Sequence, residues 1–370
     1  MEPHFKNALE VREEHRRRGL PQDFCLVPFT SLILEPDGKV GSCRQKGSEY
    51  SVGHIQNNTL DEIWNGEFMR SWRREFLEGK PKKCDQEVRH RSCNLCPKNN
   101  AHLDAISLQE IQHRPPSILT LNLNGKCNLH CNMCHIWKKP NGLYDQIGFW
   151  ETLNRYVPGL REVELLSGEP FIQKDTYRLI DLFSEKNKDC FWSITTNAHW
   201  KLTPKIERYL DKIRFRCLIV SLDSLNPENY AKIRQGGQLD VPLQNLDLLI
   251  QYEKSRLERG LGPLNIHINF LIQKINWMEI GNTYDFGITK GVKSFRTFLY
   301  DPSHLSLMSL ELKEREQILD YYFRSLSSDQ LLNSMRILLP LLESVPKIVR
   351  GSYLLELREK SARYSLAQSL

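Results

Sequence analysis

Between residues 118 and 300 the chain alternates short β-type runs with longer amphipathic stretches. The runs ILTLNLN (118–124), EVELL (162–166), FWSITTN (191–197), CLIVSLD (217–223), NIHINFLI (265–272) and KSFRTFLY (293–300) read as six strands. Separated by helical segments, they predict consecutive βα units and a parallel sheet. The two faces of a run differ. In CLIVSLD, Leu218, Val220 and Leu222 oppose Ile219, Ser221 and Asp223, and in NIHINFLI, Ile266, Ile268 and Phe270 oppose His267 and Asn269. ILTLNLN sets Thr120, Asn122 and Asn124 on one side. A strand buried between two helical layers is apolar on both faces, so one polar face predicts a polar lumen. The expected fold is α/β, a partial (β/α)6 barrel whose lumen receives a substrate. Glu164, His267, Asn269 and Arg296 are expected to project into it as candidate substrate contacts, although a satisfied polar core would use the same residues.

Residues 21–115 lack this rhythm. EPDG (35–38), between SLIL and KVGSC, reads as a hairpin turn. In TLDEIWNGEFMRSWRREFLEG, Thr59 can cap a helix with Glu62 three residues on, and Gly79 with Pro81 can end it. After Tyr300 the pattern is helical, with apolar repeats in LLNSMRILLPLLESV (331–345). The expected division is an N-terminal helical extension (1–20), a cysteine-bearing hairpin and helix module (21–115), the barrel (116–300) and a C-terminal helical region (301–370).

A hydrophobic fraction of 40% and a charged fraction of 26% describe an ordinary folded chain. The net charge of +6 is mild, and basic residues interleave with acidic ones, which describes a solvated helix face better than a nucleic-acid surface. No apolar run is long enough to span a bilayer and the start of the sequence has no apolar signal core, so a cytoplasmic protein without a membrane partner is expected. In that setting the ten cysteines are read as metal ligands in preference to a disulfide framework.

Cys25, Cys43, Cys84, Cys93 and Cys96 fall in the first hundred residues, and CNLHCNMC places Cys127, Cys131 and Cys134 on the loop after the first barrel strand. Three thiolates close in sequence can hold three irons of a [4Fe–4S] cube and leave the fourth iron for a non-protein ligand. A zinc site completed by His130 or His135 is the competing assignment.

CNLHCNMC at this place resembles the signature of the radical S-adenosylmethionine (SAM) superfamily, and further segments follow in the family's order. SGEP, comprising Ser167, Gly168, Glu169 and Pro170, is similar to the Gly-Gly-Glu-Pro segment that receives the amino group of SAM, with Ser167 in place of the first glycine. TTN ends the third strand, and its Thr196 and Asn197 match ribose contacts. Ser221 with Arg234 resembles the pair that holds the SAM carboxylate, and Met133 takes the place of the residue near the adenine.

FCLVPFTSLILEPDGKVGSC, the segment beginning VGHIQNN and the later CNLC resemble the SPASM or twitch auxiliary-cluster module, here preceding the barrel. The matching Cys25, Cys43, Cys93 and Cys96 imply a second [4Fe–4S] cluster. Ser42, where relatives often carry a cysteine, and the insert DQEVRHRS leave open whether Cys84 replaces Cys93.

The resemblance implies reductive cleavage of SAM to a 5′-deoxyadenosyl radical, which abstracts hydrogen from an unreactive C–H bond of a sugar, nucleoside or other small molecule, or of a peptide. The second cluster would relay electrons, and a flavodoxin or ferredoxin would donate them. Peptide crosslinking or epimerisation is a second reading. A non-catalytic iron–sulfur or zinc protein, acting as redox sensor or RNA-binding module, is a third, and it would need none of SGEP, TTN or Ser221 with Arg234.

Overall fold

The computed structural model describes residues 8–21, 24–44, 51–84, 107–145 and 148–368. Cys93 and Cys96 lie outside the described residues. Among the described residues nine strands occur: β1 (Ser31–Leu34), β2 (Lys39–Gly41), β3 (Gly53–His54), β4 (Ile118–Leu121), β5 (Glu162–Leu165), β6 (Phe191–Thr196), β7 (Arg214–Ser221), β8 (Ile266–Ile272) and β9 (Lys293–Phe298). The six predicted strands are β4 to β9, with β7 starting earlier than its apolar run. The sheet order is β3-β2-β1-β4-β5-β6-β7-β8-β9, open at both ends among the described residues, as in a partial barrel. The chain divides into two compact units, one of them comprising residues 127–135, 195–203 and 217–370. No described helix is long and apolar enough to cross a membrane.

In the first unit, β4 and β5 pair in parallel with Thr120 opposite Glu164, and β5 pairs with β6 with Glu164 opposite Ser193. The predicted hairpin is present. β1 and β2 are antiparallel with Leu34 opposite Val40, and Gly38 takes the left-handed φ of +86° that the turn requires. β1 also pairs in parallel with β4, Ser31 against Ile118, so the cysteine-bearing hairpin lengthens the barrel sheet. That pairing is non-local and leaves no mark in the periodicity of either segment.

The capping box forms as expected: the Thr59 hydroxyl accepts the Glu62 amide at 3.2 Å, and the Glu62 carboxylate accepts the Thr59 amide at 2.8 Å. The predicted single helix is broken into Leu60–Trp64 and Glu67–Leu77. Asn65 makes the break useful, because its Oδ1 accepts the Gln112 amide at 2.9 Å and an Arg73 N–H at 3.3 Å. Arg73 is fully buried. It donates to the carbonyls of Pro28 at 2.8 Å, Glu110 at 2.9 Å and Trp64 at 2.7 Å, and lies 4.2 Å over the Trp64 ring.

In the second unit, β7 and β8 pair with Ser221 opposite Asn269, and β8 and β9 with Phe270 opposite Arg296. Residues opposite each other in register share a face. Arg296 therefore lies on the face of Ile266, Ile268 and Phe270, and the expectation that it faces the lumen beside His267 and Asn269 is corrected. It is buried, donates to the Ser294 hydroxyl at 2.8 Å and the Asn333 carbonyl at 2.9 Å, and lies 5.3 Å from the Tyr284 ring centroid. Alternation within KSFRTFLY leaves open which of its two faces meets the lumen, and only pairing with β8 decides it. The C-terminal region is helical, as Leu312–Ser325, Ser328–Leu332, Met335–Glu343 and Lys347–Gln368.

Candidate functional site

Cys127, Cys131 and Cys134 sit on an irregular loop whose amides cannot all bond within it. Two pair with the end of helix Pro227–Ile233 and the residues just past it: the Asn132 amide donates to the Ile233 carbonyl at 2.8 Å and the His130 amide to the Gln235 carbonyl at 2.9 Å. The Cys134 amide closes a turn onto the Cys131 carbonyl at 3.0 Å, and the side chains of Asn132 and Gln273 bond each other. The loop is thus pinned along its length.

Two of its sulfurs face polar donors. Asn197 Nδ2 lies 3.6 Å from Cys127 Sγ, and Arg234 Nη1 lies 3.9 Å from Cys131 Sγ. Burial pushes the Cys131 thiol up to about 11 while Arg234 opposes the rise, and the Cys127 and Cys134 sulfurs are close enough to add to it. Three thiols on one pinned loop, with N–H donors directed at two of the sulfurs, fit an iron–sulfur cluster. Among the described residues no three His, Cys, Asp or Glu side chains converge on a single metal ion. Ligands to three corners of a cube stand farther apart than ligands to one ion.

SGEP is docked on the strand-end segment leading into that loop. The Glu169 amide and Gln173 Nε2 both donate to the Lys126 carbonyl, at 2.9 and 3.0 Å. Gly168 has φ +58°, and a Cβ there would stand 2.2 Å from the Lys126 carbonyl oxygen. The serine that replaces the first glycine of the motif has a job here: Ser167 Oγ donates to the Asn124 carbonyl at 2.8 Å. Glu169 is fully buried and accepts the Phe171 amide at 3.1 Å, capping the turn that Pro170 begins.

At the end of β6, Thr196 Oγ1 accepts from the Ala198 amide at 3.0 Å and from Trp200 Nε1 at 2.7 Å. Asn197 is held by its carboxamide oxygen accepting the His199 amide at 2.7 Å. Ser221 is buried at the end of β7, and Met133 is half-buried. Arg234 is 7% exposed, with Nε 2.9 Å and Nη2 2.8 Å from one oxygen of Asp223.

Of the lumen candidates, Glu164 accepts from the Thr120 hydroxyl at 2.6 Å and pairs with Arg44, the neighbour of Cys43, at 2.6 Å. His267 meets the Phe295 ring edge-on at 5.1 Å, and burial with Lys293 beside it lowers its pKa to about 4. Asn269 Oδ1 accepts the Thr297 hydroxyl at 3.0 Å. Cys25, Cys43 and Cys84 are half-buried, and Cys84 Sγ lies 3.3 Å from Trp72 Nε1.

Sequence reasoning missed Asp223 and His199. His199 stacks on Tyr230 and reaches the Asn197 and Gln238 carbonyls, at 3.0 and 3.2 Å. Asp223 stood inside SLDS, but nothing in the string marks it as the partner of Arg234. In the first unit, Glu35 accepts from Asn122 Nδ2 at 3.3 Å, and burial raises its pKa.

Residues 25–97 match the SPASM iron–sulfur cluster-binding domain, and residues 121–286 match the radical SAM superfamily. Among curated proteins the chain is similar to a probable GTP 3′,8-cyclase of Methanocaldococcus jannaschii, 29% identical over 45% of this chain and 54% of that one. It is likewise similar to a GTP 3′,8-cyclase of Hydrogenovibrio crunogenus, 29% identical over 49% of this chain and 54% of that one. The matches thus span about half the length of these relatives. Among solved structures, SuiB of Streptococcus suis bound to its precursor peptide SuiA aligns with a TM-score of 0.42 and 18% identity, covering 78% of this chain and 67% of that one. With two domain matches in this order, the chain belongs to the radical SAM superfamily and carries a SPASM iron–sulfur cluster-binding domain ahead of its radical SAM region.

Proposed function

We propose that the chain cleaves SAM reductively and abstracts a hydrogen atom from a small molecule of the nucleoside or sugar class. The observation that carries the reading is the 127–135 loop, pinned by backbone bonds and presenting three thiols with N–H donors at two of them. The nucleoside class is favoured by the GTP 3′,8-cyclases among the relatives.

Cys127, Cys131 and Cys134 hold a [4Fe–4S] cluster with one iron left for SAM. When bound, that cluster supplies the electron that breaks the S–C5′ bond of SAM. The protein's own part is binding and orientation. Ser167, Gly168, Glu169 and Pro170 form a rigid turn for the amino group of SAM. Thr196 and Asn197 lie at a strand end suited to the ribose, and Met133 to the adenine. Ser221 and the remaining N–H of Arg234 Nη1 receive the carboxylate. Glu164, His267 and Asn269 offer polar groups to the substrate.

Residues 21–115 act as the auxiliary module ahead of the barrel at 116–300, between the N-terminal extension 1–20 and the helical region 301–370. Cys25 and Cys43, with Cys96 and either Cys93 or Cys84, would hold a second cluster able to relay electrons, and a flavodoxin or ferredoxin would serve as the electron donor. The test is anaerobic reduction of the reconstituted protein with SAM. Formation of 5′-deoxyadenosine supports the reading, and a cluster-loaded protein that forms none refutes it.

A further inference from the structure

Arg234 is the place where the structure departs most from what the sequence led us to expect of a SAM ligand. Two of its three nitrogens are committed to Asp223, and the third faces a cluster cysteine. We propose that Asp223 is a positioning residue: it aims the Arg234 guanidinium at the Cys131 sulfur and so raises the reduction potential of the cluster on this loop. The inference rests on the reading that Cys127, Cys131 and Cys134 hold that cluster.

Asp223 is built to be immobile. It is 1% exposed and takes the left-handed φ of +62°, uncommon for a residue with a side chain. Every acceptor it has is engaged. One carboxylate oxygen takes Nε and Nη2 of Arg234, the other takes the Leu271 amide at 2.9 Å, and its carbonyl takes Asn276 Nδ2 at 2.6 Å. Arg234 is fixed at its other end, since its amide donates to the Tyr230 carbonyl at 2.7 Å at the end of helix Pro227–Ile233. With backbone and two nitrogens held, Nη1 points to Cys131 Sγ at 3.9 Å. Reduction places additional negative charge on the cluster and its sulfurs, so a cationic N–H donor beside one sulfur stabilises the reduced form.

The test measures the potential without SAM, so that any contact of Arg234 with SAM plays no part. In the reconstituted wild-type full chain, the signal that SAM perturbs identifies the cluster on this loop, and the midpoint of that same signal is then followed in each SAM-free protein by electron paramagnetic resonance at poised potentials. For Arg234→Gln the reduced-to-oxidised ratio at the wild-type midpoint should fall about tenfold, which is about 59 mV for one electron. Asp223→Asn separates positioning from bare charge. Removing a nearby negative charge alone would raise the midpoint, whereas releasing the guanidinium from its aim lowers it, and a fall is expected. Because either single change strands a buried partner, the doubly neutral Asp223→Asn, Arg234→Gln protein is included, and its midpoint should lie below the wild type but no lower than that of Arg234→Gln, since the Asp223 charge is removed as well. Iron content and circular dichroism accompany each variant. An unchanged midpoint in Arg234→Gln or the double variant, or a raised one in Asp223→Asn, in folded protein with the wild-type iron content, overturns the inference alone. A wild-type protein with no SAM-responsive cluster overturns both the inference and the reading beneath it.

Discussion

Replacing Gly168 by alanine adds one methyl group at the point where SGEP meets the strand end that leads into the cysteine loop. Two costs follow from the geometry. A residue with a Cβ at φ +58° carries a left-handed penalty of about 1–2 kcal/mol. The added Cβ would also stand 2.2 Å from the Lys126 carbonyl oxygen and 2.8 Å from its carbon, which are backbone atoms, so relief requires the chain to move. Overpacking of this kind costs about 1–3 kcal/mol, bringing the expected loss to about 2–5 kcal/mol. Gly260 is the control, with φ +74° and nothing within 4 Å of an added Cβ, so Gly260→Ala isolates the dihedral cost of about 1–2 kcal/mol. For a domain of this size about 2–4 °C of melting temperature corresponds to 1 kcal/mol. Gly168→Ala should therefore melt visibly below Gly260→Ala. It should also bind SAM at least about tenfold more weakly, because about 1.4 kcal/mol of displacement suffices for that. Thermal unfolding and equilibrium SAM binding on the reconstituted proteins make the comparison. Equal melting of the two variants, or Gly168→Ala with unaltered SAM affinity, would refute the reasoning.

Replacing Cys127, Cys131 and Cys134 together by alanine should lower the iron content from about eight to about four per chain and abolish 5′-deoxyadenosine formation; eight irons in the triple variant would reject the ligand assignment. Ser167→Ala should cost about 1 kcal/mol through loss of the bond to the Asn124 carbonyl, read from the denaturation midpoint, whereas a stability gain would show that the hydroxyl is not an anchor. His267, with its pKa at about 4, stays neutral in the folded chain while the unfolded chain takes up a proton below about pH 6.5. Stability is therefore lost as pH falls from about 6.5 toward 4. The loss should be about 1 kcal/mol at pH 5.5 relative to 7.5, after allowance for partial solvent screening. His267→Gln should flatten that slope, and an identical acid slope in the variant would show that another group is responsible.

The sequence by itself determined most of the elements and the motifs that mark the family. Strand runs with one polar face, the Thr59 capping box and the EPDG turn are local properties of the string, and each appears where its pattern lies. The spacing of Cys127, Cys131 and Cys134 and the order of SGEP, TTN and Ser221 with Arg234 are likewise written in the chain, because a loop after a strand needs no distant partner to be recognised. Tertiary structure decided what depends on neighbours. Alternation in KSFRTFLY is symmetric between two faces, and only the register with β8 puts Arg296 beside Phe270. The hairpin's place against β4 is set by a parallel pairing between segments far apart in sequence. Arg234 is a bare cation in the string. Its direction is fixed by Asp223, held in a left-handed conformation with all its acceptors engaged, and such a constraint exists only once β7, β8 and the cysteine loop are folded together.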